Sequence, residues 1–135
     1  MVPKVAGDRI IPPRYETQIG YSGRRTPLRV AISIEDPEEL AKIAGYMESR
    51  GYDVIRVPIA IQLVNILDFF HPGLVFLDRV DILEDIREHV QFFDVPTVFF
   101  TEWTDDNLVK GYRAGADICL PLPCDFENFY GLSQF

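Results

Sequence analysis

Leu74-Val75-Phe76-Leu77-Asp78 is the stretch on which the reading of this chain turns. Four consecutive apolar residues ending abruptly in a carboxylate predict a strand buried on both faces, as in a parallel sheet. His71-Pro72-Gly73 stops the element before it, and the charged run from Asp78 opens the one after it. In open α/β sheets, ligands bind just outside the carboxyl ends of the strands, where Asp78 would sit. A solvated strand-end or helix-capping aspartate produces the same local pattern, so the choice rests on the flanking sequence.

Upstream, Leu28 to Ile34 reads as a first strand. Asp36 is placed to cap the next helix, with Pro37 in its first turn and Glu39 three residues after the cap, as in a capping box. Leu40, Ile43, Ala44 and Met47 form its apolar face, and Gly51 ends it. Tyr52 to Val57 alternates like a strand nearer the sheet edge. Pro58 opens a second helix from Ile59 to Phe70, where nine of twelve residues are apolar, more than one buried face requires. Downstream, a third helix runs over roughly Asp81 to Phe92, with Ile82, Leu83, Ile86 and Val90 on one side. Val95 to Thr101 is a fourth strand, and Thr104 begins a short helix through Arg113 that Gly115 closes. Ile118 to Leu120 is a fifth strand, broken by Pro121 and Pro123, and Asp125 starts a final helix toward Phe135. Alternating strand and helix units predict an α/β fold, with a parallel sheet covered by helices on both faces.

A chain of 135 residues with 47% hydrophobic content makes one domain with a real core. No apolar run approaches the roughly 18–20 residues needed to cross a bilayer, and no signal peptide is visible at the start. Cys119 and Cys124 lack metal-ligand spacing and read as buried free thiols of a cytoplasmic protein. The net charge of −8 is unevenly spread, because residues 1–29 carry six Lys/Arg against two Asp/Glu. The acidic remainder excludes nucleic acid as its own direct partner. Residues 1–27 are punctuated by Pro3, Pro12, Pro13 and Pro27 and read as an extended, irregular N-terminal arm, leaving 28–135 as the domain. No Gly-rich phosphate loop, Ser/His/Asp set or metal cluster is present, so the chain is expected not to be an enzyme. His71 and His89 read as ordinary surface or packing residues.

Fourteen residues separate Pro37 from Gly51, twenty-one more lead to Pro72, and six more reach Asp78. This spacing, with Val95-Pro96-Thr97-Val98-Phe99-Phe100-Thr101, Lys110-Gly111-Tyr112-Arg113-Ala114-Gly115-Ala116-Asp117 and Pro121-Leu122-Pro123, resembles a response-regulator receiver domain. The resemblance covers about residues 28–130. It implies a flavodoxin-like, doubly wound five-stranded sheet with strand order 2-1-3-4-5. Receivers accept a phosphoryl group from a histidine kinase on an aspartate after strand three, aided by Mg²⁺, a strand-four hydroxyl and a strand-five lysine. By the resemblance, Asp78 holds the acceptor position, Thr101 the hydroxyl position, and Glu35 the second acidic position, so that Glu35 and Asp78 would make a weak Mg²⁺ site.

The departures point the other way. Ile34 replaces the first acidic residue, Leu122 stands where the lysine belongs, and Glu102 stands where receivers place a small residue. The Met-Pro-x-x-x-Gly loop after the acceptor is missing, and Cys119 takes the place of the aromatic switch residue. Each lost transition-state donor costs about 2.7–4 kcal/mol, so several losses together suppress phosphoryl transfer. The sequence therefore reads first as a pseudo-receiver that signals through protein contacts and requires no cofactor. The alternative is a phospho-accepting receiver of a two-component phosphorelay, dependent on Mg²⁺ and modified at Asp78. Ile61, Phe69 or Phe70 on the second helix would face a protein partner, or pack inward. Trp103 would cover the acidic pocket or pack. Tyr112 and Arg113 lie on the fourth helix, which many receivers use for partners. A homodimer is a further alternative, although Ile118 replaces an acidic residue used in one common receiver dimer.

Overall fold

The run Leu74–Leu77 forms strand β3 with all four residues buried, at the middle of a five-stranded sheet. The computed structural model describes residues 28–89 and 94–125. In chain order these give β1 (Arg29–Ser33), α1 (Pro37–Ser49), β2 (Asp53–Arg56), a 3₁₀ turn (Ala60–Gln62) leading into α2 (Leu63–Phe70), β3, α3 (Val80–Glu88), β4 (Thr97–Thr101), α4 (Asp105–Ala114) and β5 (Ile118–Pro121). The strands lie in the order β2-β1-β3-β4-β5, and every pairing is parallel. Fold class and strand order are those implied by the sequence.

Period-two alternation divides the apolar strand residues between two cores. Val30, Ile32, Leu74, Phe76, Val98 and Phe100 face α1, where Leu40, Ile43, Ala44 and Met47 meet them. Phe76 and Phe100 lie 5.3 Å apart, ring centre to ring centre, with tilted planes. Ala31, Val75, Leu77 and Phe99 face the other way, onto Leu63 and Leu67 of α2, Ile82, Leu83 and Ile86 of α3, and Ala114 of α4. The central strands are therefore apolar throughout because both faces are covered. The edge position of β2 explains its partly exposed alternation.

Several expectations shift in detail. The second helix is not continuous from Ile59, because Ile59 is extended and the chain passes through the 3₁₀ turn before the α-helix begins at Leu63. Pro58 thus precedes the element without lying in its first turn. The left-handed backbone of His71, at φ 51°, closes α2 just before Pro72. The third helix begins at Val80 rather than Asp81 and ends at Glu88, and Val90 lies outside the described residues. Pro121 closes β5 instead of breaking it, which an edge strand tolerates because its outward amide needs no partner. Asp36 does cap α1, accepting the Glu38 amide at 2.9 Å. Glu39 does not complete a capping box: its Oε1 accepts the Cys124 amide at 2.8 Å, and its Oε2 pairs with Lys42 at 2.9 Å. The arm (1–27) and the last helix expected beyond Asp125 fall outside the described residues.

Arg87 of α3 fastens the far edge. Its guanidinium donates to the Gly115 and Val95 carbonyls at 2.9 and 2.8 Å and to Asp117 Oδ2 at 3.1 Å. The same Asp117 oxygen accepts the Thr97 amide, so one carboxylate joins the start of β4 to the turn before β5. Above β5, Gly111 lets α4 approach the sheet closely, since a Cβ there would lie 2.6 Å from Phe99 Cδ2 and 2.8 Å from Cys119 Sγ. Gly111→Ala is expected to destabilise the domain by about 1–3 kcal/mol, as overpacking does. Urea unfolding measures the loss, and an unchanged midpoint would show that α4 can lift without cost.

Candidate functional site

The strand order makes β1 and β3 neighbours although α1, β2 and α2 separate them in sequence, and at this switch point the ends of both strands open to solvent. The register pairs Ser33 with Leu77, so the residues that follow, Ile34-Glu35 and Asp78, emerge side by side. The Glu35 amide donates to Asp78 Oδ2 at 3.0 Å. Asp78 is half-buried, and its Oδ1 is shielded from solvent with no hydrogen-bond partner among the described residues. Burial pushes the Asp78 carboxyl above the ordinary aspartate range, and the Glu35 charge adds to this. The Glu35 amide, its own amide and the neighbouring Arg79 pull it back only in part.

Thr101 ends β4 and is partly exposed, with Pro121 as its register partner on β5. Its carbonyl accepts the Leu122 amide at 3.0 Å, which brings the lysine position to the same edge of the sheet as Asp78. The Leu122–Pro123 peptide is cis. The Leu122 side chain packs on the α1-side core and offers no donor to the site. Glu102 is exposed, and its carbonyl accepts the Thr104 amide at 2.9 Å and Asn107 Nδ2 at 3.1 Å. This pins the turn into α4 and holds a carboxylate-bearing residue beside Thr101. Trp103 is 55% exposed, so it neither packs into the core nor is sealed over the site.

Sequence reasoning missed Arg79. It lies directly after Asp78, in extended backbone at the start of α3. Its Nε and Nη2 grip the Asp81 carboxylate at 3.0 and 2.5 Å, and Nη1 reaches to 4.0 Å from Glu35 Oε2. The Arg79-x-Asp81 spacing is the only signal in the sequence, and it shows as a fork only once the helix start is known.

These residues test the fit of a magnesium ion. The shielded, unpartnered Asp78 Oδ1 is an oxygen that a cation would satisfy. Ile34, however, is buried in the core and leaves the first acidic position empty of oxygen. Glu35, the remaining carboxylate, is exposed and already faces the Arg79 guanidinium. Among the described residues, no three His, Cys, Asp or Glu side chains come together as a metal cluster. Mg²⁺ demands near-octahedral oxygen ligation and gives up its water reluctantly. The donor set does not fit a tightly held ion.

Neither cysteine is poised for chemistry. Burial pushes the Cys119 thiol up to about 11 and the Cys124 thiol up to about 12, so both stay protonated near neutral pH. The pair forms no disulfide.

No protein-family model matches the chain. A curated sequence, an uncharacterized 76.5 kDa protein of Thiocystis violacea, is 23% identical over 115 residues, which cover 79% of this chain and 17% of that protein. The chain thus spans about a sixth of that relative's length. Among solved structures, Vibrio cholerae chemotaxis protein CheY4 superposes with a TM-score of 0.72 at 14% identity, covering 81% of this chain and 98% of that one. A putative response regulator from Chloroflexus aurantiacus gives 0.70 at 18% identity, over 78% and 93% of the two chains. The HemR receiver domain of Leptospira biflexa gives 0.67 at 22% identity, over 81% and 93%. The fold is that of the CheY-like receivers. Among the described residues, no helix is long and apolar enough to cross a membrane.

A carboxyl raised by burial makes its ionised form a liability of the folded state. That penalty is fully present above the folded pKa and disappears below the ordinary value of 3.8. Asp78→Asn, which retains an oxygen for the Glu35 amide, is therefore expected to melt higher than the parent near pH 7. The gap should close as the pH falls through the raised pKa toward 3.8. Thermal melts across that range decide the matter, and a variant that melts lower at neutral pH would refute it.

Proposed function

We propose that this chain is an atypical receiver domain that acts in signal transduction through protein contacts, independently of phosphorylation of Asp78. One observation carries the reading. The position at which receivers bring a lysine to the phosphoryl group holds Leu122, an apolar side chain that packs, partly buried, against the core. A phosphoryl group arriving at Asp78 would meet an unmatched charge, with the Glu35 carboxylate beside it and Glu102 next to Thr101. Transfer by positioning and charge neutralisation needs the cation that this chain lacks there. The role needs no bound cofactor, and buried, protonated thiols suit a cytoplasmic setting.

The competing reading is a phospho-accepting receiver served by a histidine kinase. It is favoured by the unpartnered Asp78 Oδ1 and by Thr101 at the end of β4. Treating the protein with acetyl phosphate or beryllofluoride plus Mg²⁺, and following mass and amide shifts, separates the two. No stoichiometric change at Asp78 is expected. A phosphoryl adduct, or loss of signalling in a folded Asp78→Asn variant, would favour the phosphorelay.

The contact surface we assign to this role is the outer side of α2 and the turn before it, where Ile59, Ile61 and Phe69 are more than half exposed. Phe69 stands 70% exposed. Phe70 does not belong to that surface: it packs against the α2-side core, the Arg29 guanidinium lies 5.2 Å from its ring centre, and Arg29 Nη1 donates to its carbonyl at 2.6 Å. Phe69→Ser should change stability by no more than about 0.5 kcal/mol, whereas Phe70→Ser should cost about 1–3 kcal/mol. Denaturation of the two variants checks this, and equal losses would return Phe69 to the core.

A further inference from the structure

Receivers are metal-dependent modules, yet the cationic group seated among the carboxylates here is a side chain. Arg79 bridges two elements: its fork closes on Asp81 in the first turn of α3, and its free Nη1 points to Glu35 at the end of β1. Asp81 is itself fixed, because its Oδ1 also accepts the Ile82 amide at 2.9 Å. The guanidinium is therefore held by a bidentate ion pair, the geometry that best restrains an arginine. Its backbone adjoins Asp78, and of the side-chain charges acting on that carboxylate, Glu35 and Arg79, it supplies the positive one.

We propose that Arg79 is the resident cation of this site, standing against Glu35 where a divalent metal would have to bind, so that the domain holds its acidic edge together without magnesium. Two observations converge on it. Ile34 withdraws the carboxylate that would draw a second unit of positive charge. Arg79 also lies within ion-pair range of Glu35, so a metal using Glu35 must displace it or sit against it. The inference concerns cation identity and stands apart from the phosphorylation reading: a chain could bind Mg²⁺ without accepting a phosphoryl group.

The test is a magnesium titration of isotope-labelled full chain, following the Glu35, Asp78 and Arg79 amides, with calcium as a second probe. Wild type should show no saturable shift at these amides up to tens of millimolar MgCl₂. Arg79→Gln, which keeps a polar side chain but removes the charge, should bind Mg²⁺ roughly tenfold or more tightly, the order expected when a unit charge a few ångströms from a dication is removed. Arg79→Lys should behave as wild type does, because the charge is restored. Saturable millimolar or tighter Mg²⁺ binding by the wild type would overturn the proposal whatever the variants do. So would a folded Arg79→Gln whose affinity is unchanged.

Discussion

Everything at the candidate site depends on the pairing of β1 with β3. Two strands buried on both faces run parallel in register, Val30 with Leu74 through Ser33 with Leu77, and their ends fall at one level. The connection from β1 turns to one face of the sheet while that from β3 turns to the other, since α1 and α3 cover opposite cores. The divergence leaves a notch in which backbone amides are exposed and unpaired by the ladder. Asp78 fills this notch through its bond to the Glu35 amide. Fold and site are thus one constraint: the cores force the register, and the register brings two carboxylate-bearing residues together.

Given that geometry, charge decides what the site can do. Around Asp78 the structure provides one cationic side chain, Arg79, already committed to Asp81 and leaning toward Glu35. At the neighbouring strand end it provides Leu122, an apolar side chain packed downward. A phosphoryl group on Asp78 would carry about two units of negative charge near neutral pH, in place of the carboxylate's one, at a half-buried end of the sheet where no uncommitted cation stands among the described residues. The proposed role draws on this shortage, and the exposed apolar side chains of Ile59, Ile61 and Phe69 are the surface assigned to a protein contact.

The fold was legible because its strongest signals are long-range necessities written locally. A strand covered on both faces must be apolar throughout, and Leu74–Leu77 and Val98–Phe100 are. An edge strand need not be, and β2 alternates. The departures at Ile34, Leu122 and Glu102 were also legible, because they are matters of residue identity at positions fixed by spacing. What the sequence concealed depends on side-chain partners distant in the chain. Glu39 sits at capping-box spacing, but the Cys124 amide, eighty-five residues on, takes its oxygen. Phe69 and Phe70 are chemically identical, and only the helical phase and the Arg29 guanidinium separate an exposed ring from a covered one. Arg79 was passed over because arginine after a strand is ordinary until its fork on Asp81 is seen.

Asp78 is a half-buried carboxylate with one oxygen that has no partner among the described residues, and such a group destabilises the fold it sits in. The Glu35 amide offsets part of this. It lies past the end of β1, where the ladder to β3 has stopped, and Asp78 Oδ2 is its acceptor. Replacing the aspartate by an apolar residue would leave that amide without this partner, at a cost of about 1–3 kcal/mol where it is shielded from water. An asparagine would serve the amide equally well and would avoid the burial penalty. Hydrogen bonding alone therefore does not favour aspartate over asparagine, and burial disfavours the charged form. The stability of the fold thus gives no reason for a carboxylate at residue 78, and the positive charge next to it in the chain, on Arg79, is anchored on Asp81 and reaches only Glu35.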